Sequence, residues 1–248
     1  MFELQLTEPA ILYNSIGILS EFIQEATFSI NKDGIEMRAM DPANISMVIL
    51  RILPSAFSKY DLKEEEEITV NVDNLKQALR RAKPSDILNL SLERNRLKIT
   101  LEGKSKKDFQ IPLLEETRKK KDIPSLDFKS KVELEANEFE DYINDAAVVG
   151  DALTIEARPE TIIFSAGETS SKVRIALEKG KDALIAIDSK EPSKAVYAVD
   201  YLKKIAKSSK IANTVTLQFS KDYPVRLDYK ALDKGQLSFI LAPRIEND

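Results

Sequence analysis

Apolar and polar positions along this 248-residue chain change their period several times. In residues 11–26, ILYNSIGILSEFIQEA, the positions Ile16, Leu19, Phe22 and Ile23 recur as one helix face, which predicts a helix. Residues 28–40 alternate on both sides of an Asn31–Gly34 turn and predict a hairpin. Residues 45–52 alternate again, and the strand pattern at 68–72 leads into a helical stretch, NVDNLKQALRRAK, at 71–83. A hairpin over 87–103 and a strand over 108–114 follow. The second half predicts the same kind of succession. A helix at 138–149 precedes a hairpin at 152–167 and strands at 171–178, 182–188 and 195–199. A helix at 200–210, a hairpin at 214–230 and a strand at 236–243 complete it.

This order is a repeat, and a shift of 127 positions makes it explicit. Val72, Asp73, Leu75 and Lys76 fall on Val199, Asp200, Leu202 and Lys203; Arg80 falls on Lys207 and Lys83 on Lys210. Such self-similarity predicts two topologically similar domains of α+β class. The expected boundaries are 1–114 and 128–248, with 115–127, polar and carrying Pro124, as an exposed connecting loop.

Composition narrows the chemistry. The chain has no Cys, no His and no Trp. Disulfides, Cys/His zinc sites and Ser-His-Asp triads are therefore excluded, and acid–base work would rest on carboxylates, Lys or Tyr. The start, MFELQLTEPA, has no basic segment followed by an apolar signal core, and apolar runs such as AAVV at 146–149 are too short to cross a membrane. The expectation is a cytoplasmic protein with no membrane partner and no cofactor.

Charge changes the picture more. There are 37 Lys and Arg against 41 Asp and Glu, a net −4, yet residues 71–83 hold four cations and one anion, as do residues 200–210. In the first helix Leu75, Ala78, Leu79 and Ala82 form the packing stripe, while Lys76, Arg80 and Lys83 form a second stripe at i, i+4, i+7. Lys203, Lys207 and Lys210 repeat that spacing beside Leu202, Ile205 and Ala206. Asp73 and Asp200 are the expected N-caps, and Pro84 ends the first helix at or before Lys83. Lys and Arg are also good helix formers on a wet face. Two matched stripes in an acidic chain point instead to a polyanion. GKSKK at 103–107 lacks the preceding glycine of a phosphate-binding loop, and neither stripe is interleaved with aromatics for base stacking. What remains is salt-sensitive contact with phosphates, indifferent to sequence.

RAMDPANISMVIL at 38–50, FSKYD at 57–61, YPVRLDY at 223–229 and LAPRIE at 241–246 closely resemble DNA sliding clamps of the proliferating-cell-nuclear-antigen family in its archaeal form. The resemblance spans essentially the whole chain. It implies a closed ring of three subunits with antiparallel sheets outside and helices lining a central channel around duplex DNA. It implies a non-catalytic processivity factor, nucleoid-associated, that tethers DNA polymerase, flap endonuclease and DNA ligase and is opened by a clamp loader. The DNA-facing set would be Lys76, Arg80, Arg81, Lys83, Lys203, Lys207 and Lys210. A pocket for partner peptides would use Met40, Asn44, Ile45, Met47, Ile123, Tyr223, Pro224, Ile240, Ala242 and Pro243. Residues 108–113 of one subunit would pair with 171–177 of the next, adding Phe109, Ile111, Val173 and Ile175 as apolar contacts. The terminal residues 245–248 would form a short acidic tail.

The chain departs from the family in one respect. Family members usually carry cations on all lining helices, but residues 11–26 and 138–149 have no Lys or Arg. The second of these holds Glu138, Glu140, Asp141 and Asp145. One account pairs Asp141 and Asp145 with Arg81 and Lys83 of a neighbouring subunit. Another makes this chain one subunit of a heterotrimeric ring. A third reads Glu138, Asp141 and Asp145, with Asp151, as a magnesium site for phosphodiester cleavage. A scaffold that binds only proteins is a further class.

Overall fold

The computed structural model describes residues 2–115, 122–167, 170–181 and 183–244. Residues 116–121 of the expected connecting loop and the expected tail, 245–248, lie outside the described residues. The first repeat runs β1 (Phe2–Leu6), α1 (Ala10–Leu19), β2 (Glu25–Asn31), β3 (Gly34–Met40), β4 (Ser46–Ile52), β5 (Lys59–Leu62), β6 (Glu66–Asn71), α2 (Val72–Leu79), β7 (Ile87–Glu93), β8 (Arg96–Glu102) and β9 (Lys106–Pro112). The second runs β10 (Ser130–Glu135), α3 (Ala136–Val149), β11 (Ala152–Arg158), β12 (Thr161–Gly167), β13 (Lys172–Glu178), β14 (Leu184–Ser189) and β15 (Ser193–Ala198). It ends with α4 (Val199–Ala206), a 3-10 turn (Lys207–Lys210), β16 (Thr214–Phe219), β17 (Val225–Ala231) and β18 (Gly235–Leu241). The class is α+β, with antiparallel strands and four α-helices among the described residues.

The chain divides into two compact units. The first comprises Met1–Pro42, Val48–Asp122 and Ala231–Leu237; the second comprises Ala43–Met47, Ile123–Lys230 and Ser238–Asp248. A linear reading of the repeat does not foresee the two short exchanged segments. In the first unit β5-β1-β7-β8-β9 form one sheet, and β4-β3-β2-β6 follow one another in a second layer. Phe2, Leu12, Phe28, Ile68, Leu75 and Leu97 surround a small apolar space of about 30 Å³ where strands and helices meet. In the second unit the orders are β14-β10-β16-β17-β18 and β13-β12-β11-β15. There Phe139 of α3 packs on Phe164 of β12 at 6.0 Å between ring centroids.

The repeat is visible in individual bonds. Val72 N donates to Gln24 O at 2.8 Å, and Val199 N donates to Asp151 O at 2.9 Å, both partners shifted by 127. Leu114 N reaches Thr69 O at 2.8 Å, and Arg244 N reaches Val196 O at 2.7 Å. The chain leaving each repeat thus covers the open edge of β6 or β15, one way to blunt an edge strand.

Several expected boundaries are corrected. The helix expected over 11–26 stops at Leu19. Phe22 and Ile23 are buried in a turn, and Glu25 and Ala26 are drawn into β2 by pairing with Asn71 and Val70. Tertiary pairing overrides helical spacing there. Strands β1, β5 and β10 were not foreseen. The helices expected over 71–83 and 200–210 are shorter, ending at Leu79 and Ala206, so Ala82 lies beyond the packing stripe. The N-caps are Asn71 and Ala198, not Asp73 and Asp200. Both carboxylates stand in the first turn, where they meet the positive end of the helix.

The two caps make a reciprocal test. Asn71 Oδ1 accepts from Asn74 N at 2.9 Å, whereas Ala198 offers no side-chain cap at a nearly identical backbone geometry. Asn71→Ala is expected to destabilise by about 1 kcal/mol and Ala198→Asn to stabilise by up to about 1 kcal/mol. Urea midpoints at a fixed protein concentration measure both.

Candidate nucleic-acid and partner interfaces

Helix α2 presents its cations in two settings. Arg80 is its C-cap, and Arg81 and Lys83 follow in the turn beyond; all three are exposed. The buried Asp86 holds that turn, its Oδ2 accepting from Lys83 N at 3.0 Å. Lys76 is half-buried against α1. On α4 Lys203 is exposed, while Lys207 and Lys210 lie in the 3-10 turn that tightens the chain after Ala206. The i, i+4, i+7 spacing therefore does not describe one continuous α-helix at the C-terminal end of either stripe. Lys204 escaped the sequence reading. Its Nζ lies 5.4 Å from the Tyr201 ring centroid, a cation–π contact on the same helix.

Helix α3 packs beside α4 in the second unit and carries the opposite charge. Its apolar side buries Ala136, Phe139, Ile143 and Ala146, leaving Glu138, Asp141 and Asp145 exposed. Glu140 accepts a hydrogen bond from Ser209 Oγ, tying α3 to the 3-10 turn after α4. Among the described residues no group of three or more Asp, Glu, His or Cys side chains could hold a metal ion. The magnesium reading of Glu138, Asp141, Asp145 and Asp151 thus lacks its required convergence: the first three are spread along a solvated helix, and Asp151 lies beyond its end and pairs with Arg244 at 3.0 Å.

Two edges stand out. β9 ends the five-stranded sheet of the first unit and β13 ends the four-stranded sheet of the second. They share one burial pattern: Phe109, Val173 and Ile175 are half-buried, while Ile111 and Leu177 are fully covered. β18 and β4, their counterparts in the repeat, are buried nearly throughout. Each open edge adjoins a groove. Between α2 and β9 a cavity of about 620 Å³ is lined by Gln77, Arg80, Arg81 and Phe109. Between α3 and β13 one of about 520 Å³ is lined by Glu135, Glu138, Tyr142 and Ala176. The first is cationic and the second anionic.

The expected peptide-pocket residues fall mostly in the second unit. Asn44 adopts φ 57° and is exposed with Ile45, whose carbonyl accepts from Ala242 N at 3.0 Å. Tyr223 is half-buried, edge-on to Phe128, and its carbonyl accepts from Tyr197 Oη at 2.8 Å. Burial holds the Tyr197 hydroxyl well above the ordinary tyrosine range, so it remains a donor. Ile123, Pro224, Ala242 and Pro243 are half-buried, whereas Met47 and Ile240 are core residues, 5% and 7% exposed. Met40 lies half-buried at the end of β3 in the first unit.

Similarity to known proteins fixes the family. Residues 1–123 match the model of the proliferating cell nuclear antigen N-terminal domain, and residues 122–244 match that of its C-terminal domain. The DNA polymerase sliding clamp of Nanoarchaeum equitans is 38% identical over 233 residues, covering 92% of this chain and 94% of that protein. The DNA polymerase sliding clamp of Pyrococcus furiosus is 37% identical over 232 residues, covering 93% of each. The crystal structure of PCNA from Thermococcus kodakaraensis superposes with a TM-score of 0.93 at 31% identity, covering 98% of this chain and all of that one. No helix among the described residues is long and apolar enough to cross a membrane. The chain belongs to the proliferating cell nuclear antigen family of DNA polymerase sliding clamps.

Proposed function

We propose that this chain closes with two further copies into a ring around duplex DNA and serves there as a non-catalytic tether. The observation that carries the reading is the pair of open sheet edges, each with half-buried apolar side chains, beside grooves of opposite charge. In the ring β9 of one subunit pairs with β13 of the next. Main-chain groups at both edges then gain partners, and Phe109, Val173 and Ile175 become fully shielded from water. The groove of Arg80 and Arg81 meets the groove of Glu135 and Glu138, and the exposed Asp141 and Asp145 pair with Arg81 and Lys83 across the seam. Acid on α3 thereby acquires a structural role instead of repelling the duplex.

Arg80, Lys203, Lys207 and Lys210 face phosphates inside the ring, with Arg81 and Lys83 divided between phosphates and the seam; Lys76, half-buried against α1, stands behind them. Their contacts are individually weak, and a closed ring makes weakness tolerable because release requires opening. The loop and strand residues around Ile45, Tyr223 and Ala242 receive short peptides with aromatic anchors from DNA polymerase, flap endonuclease, DNA ligase and the clamp loader. A mixed ring, with this chain as one of several different subunits, is favoured only by the absence of Lys and Arg from α1 and α3.

Two experiments test the proposal. Asp141→Asn with Asp145→Asn removes two exposed ion pairs from each seam. The seam should weaken roughly five-fold, with the difference shrinking at high salt. Analytical ultracentrifugation at low and high salt reads this, and an unchanged assembly in both would refute the pairing. Replacing Lys203, Lys207 and Lys210 by Ala, which leaves the cations of the seam in place, should flatten the plot of log affinity for duplex DNA against log salt, by about 0.9 for each phosphate no longer neutralised. The thermal midpoint should stay within about 2 °C, as expected for surface changes. An undiminished slope, or magnesium-dependent DNA cleavage abolished by Asp141→Asn, would contradict the assigned role.

A further inference from the structure

Lys76 and Lys203 occupy equivalent places in the repeat, but their surroundings differ by one hydroxyl. Lys76 Nζ donates to Ser20 Oγ at 2.8 Å, and Ser20 Oγ donates to Gly17 O at 2.8 Å. Ser20 is the C-cap of α1, a helix with no basic residue in its last turn. The carbonyl end of a helix carries partial negative charge that a nearby cation stabilises. Here the cation comes from the neighbouring helix α2, so one lysine closes α1 and ties it to α2.

The second unit lacks this arrangement. Leu12, Ile16 and Leu19 of α1 correspond to Phe139, Ile143 and Ala146 of α3 at the shift of 127, and all six are buried, which fixes the register. Ser20 then corresponds to Ala147, which has no hydroxyl to receive an ammonium. Lys203 is exposed and has no hydrogen-bond or ion-pair partner among the described residues.

We propose that Lys76 is a positioning residue that clasps the carbonyl end of α1 to α2, while Lys203, its counterpart, is a direct phosphate contact. The proposal rests on the DNA-facing reading of α2 and α4, which it divides into unequal roles. Because α1 contributes no Lys or Arg of its own, the lysine of α2 is what holds its end in place. The hydroxyl is essential: it receives the ammonium on one side and relays polarity to Gly17 O on the other.

The test uses the full chain with Lys76→Met, Lys76→Arg, Ser20→Ala and Lys203→Met. Hydrogen exchange is followed at Glu21, Phe22 and Ile23, whose amides donate to the carbonyls of Ile18 and Leu19 at the end of α1. Lys76→Met and Ser20→Ala should each speed this exchange about five-fold, the double variant no further, and Lys76→Arg should restore it. Lys203→Met should leave it at the wild-type rate. Binding to a short linear duplex, followed by fluorescence anisotropy across a salt series, supplies the second readout. Lys203→Met should flatten the salt slope by about 0.9, and Lys76→Met should leave it unchanged. Wild-type exchange at 21–23 in Lys76→Met, or a slope lowered as much as in Lys203→Met, would overturn the proposal. Were the wild-type protein to show no salt-dependent DNA binding, the DNA-facing reading would fail and with it the role of Lys203. The exchange measurement would still decide whether the clasp exists.

Discussion

A strand at the edge of a sheet leaves every second main-chain amide and carbonyl without a strand partner, and in this chain that constraint falls on β5, β9, β13 and β14, of which β9 and β13 adjoin grooves of opposite charge. Lys106, Lys107 and Asp108 on β9 and Lys172 and Arg174 on β13 guard these edges against indiscriminate pairing. Pro112 closes only the end of β9, and Phe109, Val173 and Ile175 remain half-open to water on the side that their sheets bury elsewhere. Completing the burial of each such side chain is worth about 1 kcal/mol, on top of a new hydrogen-bonded ladder. The proposed ring depends on this pairing, which would join two open sheets into a continuous wall.

Closure also explains how an acidic protein can hold DNA. With a net charge of −4 the chain has no general attraction for a polyanion. On α2, on α4 and in the turns that follow them, however, eight cations stand against two anions, Asp73 and Asp200. Contacts confined to phosphates carry no sequence information and release readily in salt, properties suited to motion along a duplex. Tight binding would oppose sliding. A ring separates the two demands, because topology provides retention while electrostatics provides only alignment. The acids of α3 belong to the same division when they serve the seam, where an ion pair can join subunits without facing the duplex.

The repeat was the most legible feature of the sequence, because Val72, Asp73, Leu75 and Lys76 recur unchanged at Val199, Asp200, Leu202 and Lys203. Hairpins read well wherever alternation was bounded by a turn, as at Asn31–Gly34, where Gly34 takes φ 124° and a Cβ would strike Ile52 O. Helix ends read poorly. Residues 20–26 keep helical spacing, yet a partner strand more than forty residues away claims Glu25 and Ala26. β10 alternates plainly in SKVELE, but so short a stretch carries little weight beside a connecting loop. The basic stripes were legible as charge and not as geometry. That Lys76 is held by Ser20, 56 residues earlier, depends on how α1 and α2 pack, which no local pattern encodes. The opposite charges of α2 and α3 were legible, but the grooves that hold them were hidden, since each groove joins a helix to a strand distant in sequence.

The most direct test of closure is native mass across a dilution series, made with the wild-type chain purified alone in buffer of near-physiological salt. A species of three times the chain mass, persisting well below micromolar concentration, is the expected result. A single-chain mass at every concentration would show that β9 and β13 do not find each other, and ring closure by this chain alone would be contradicted.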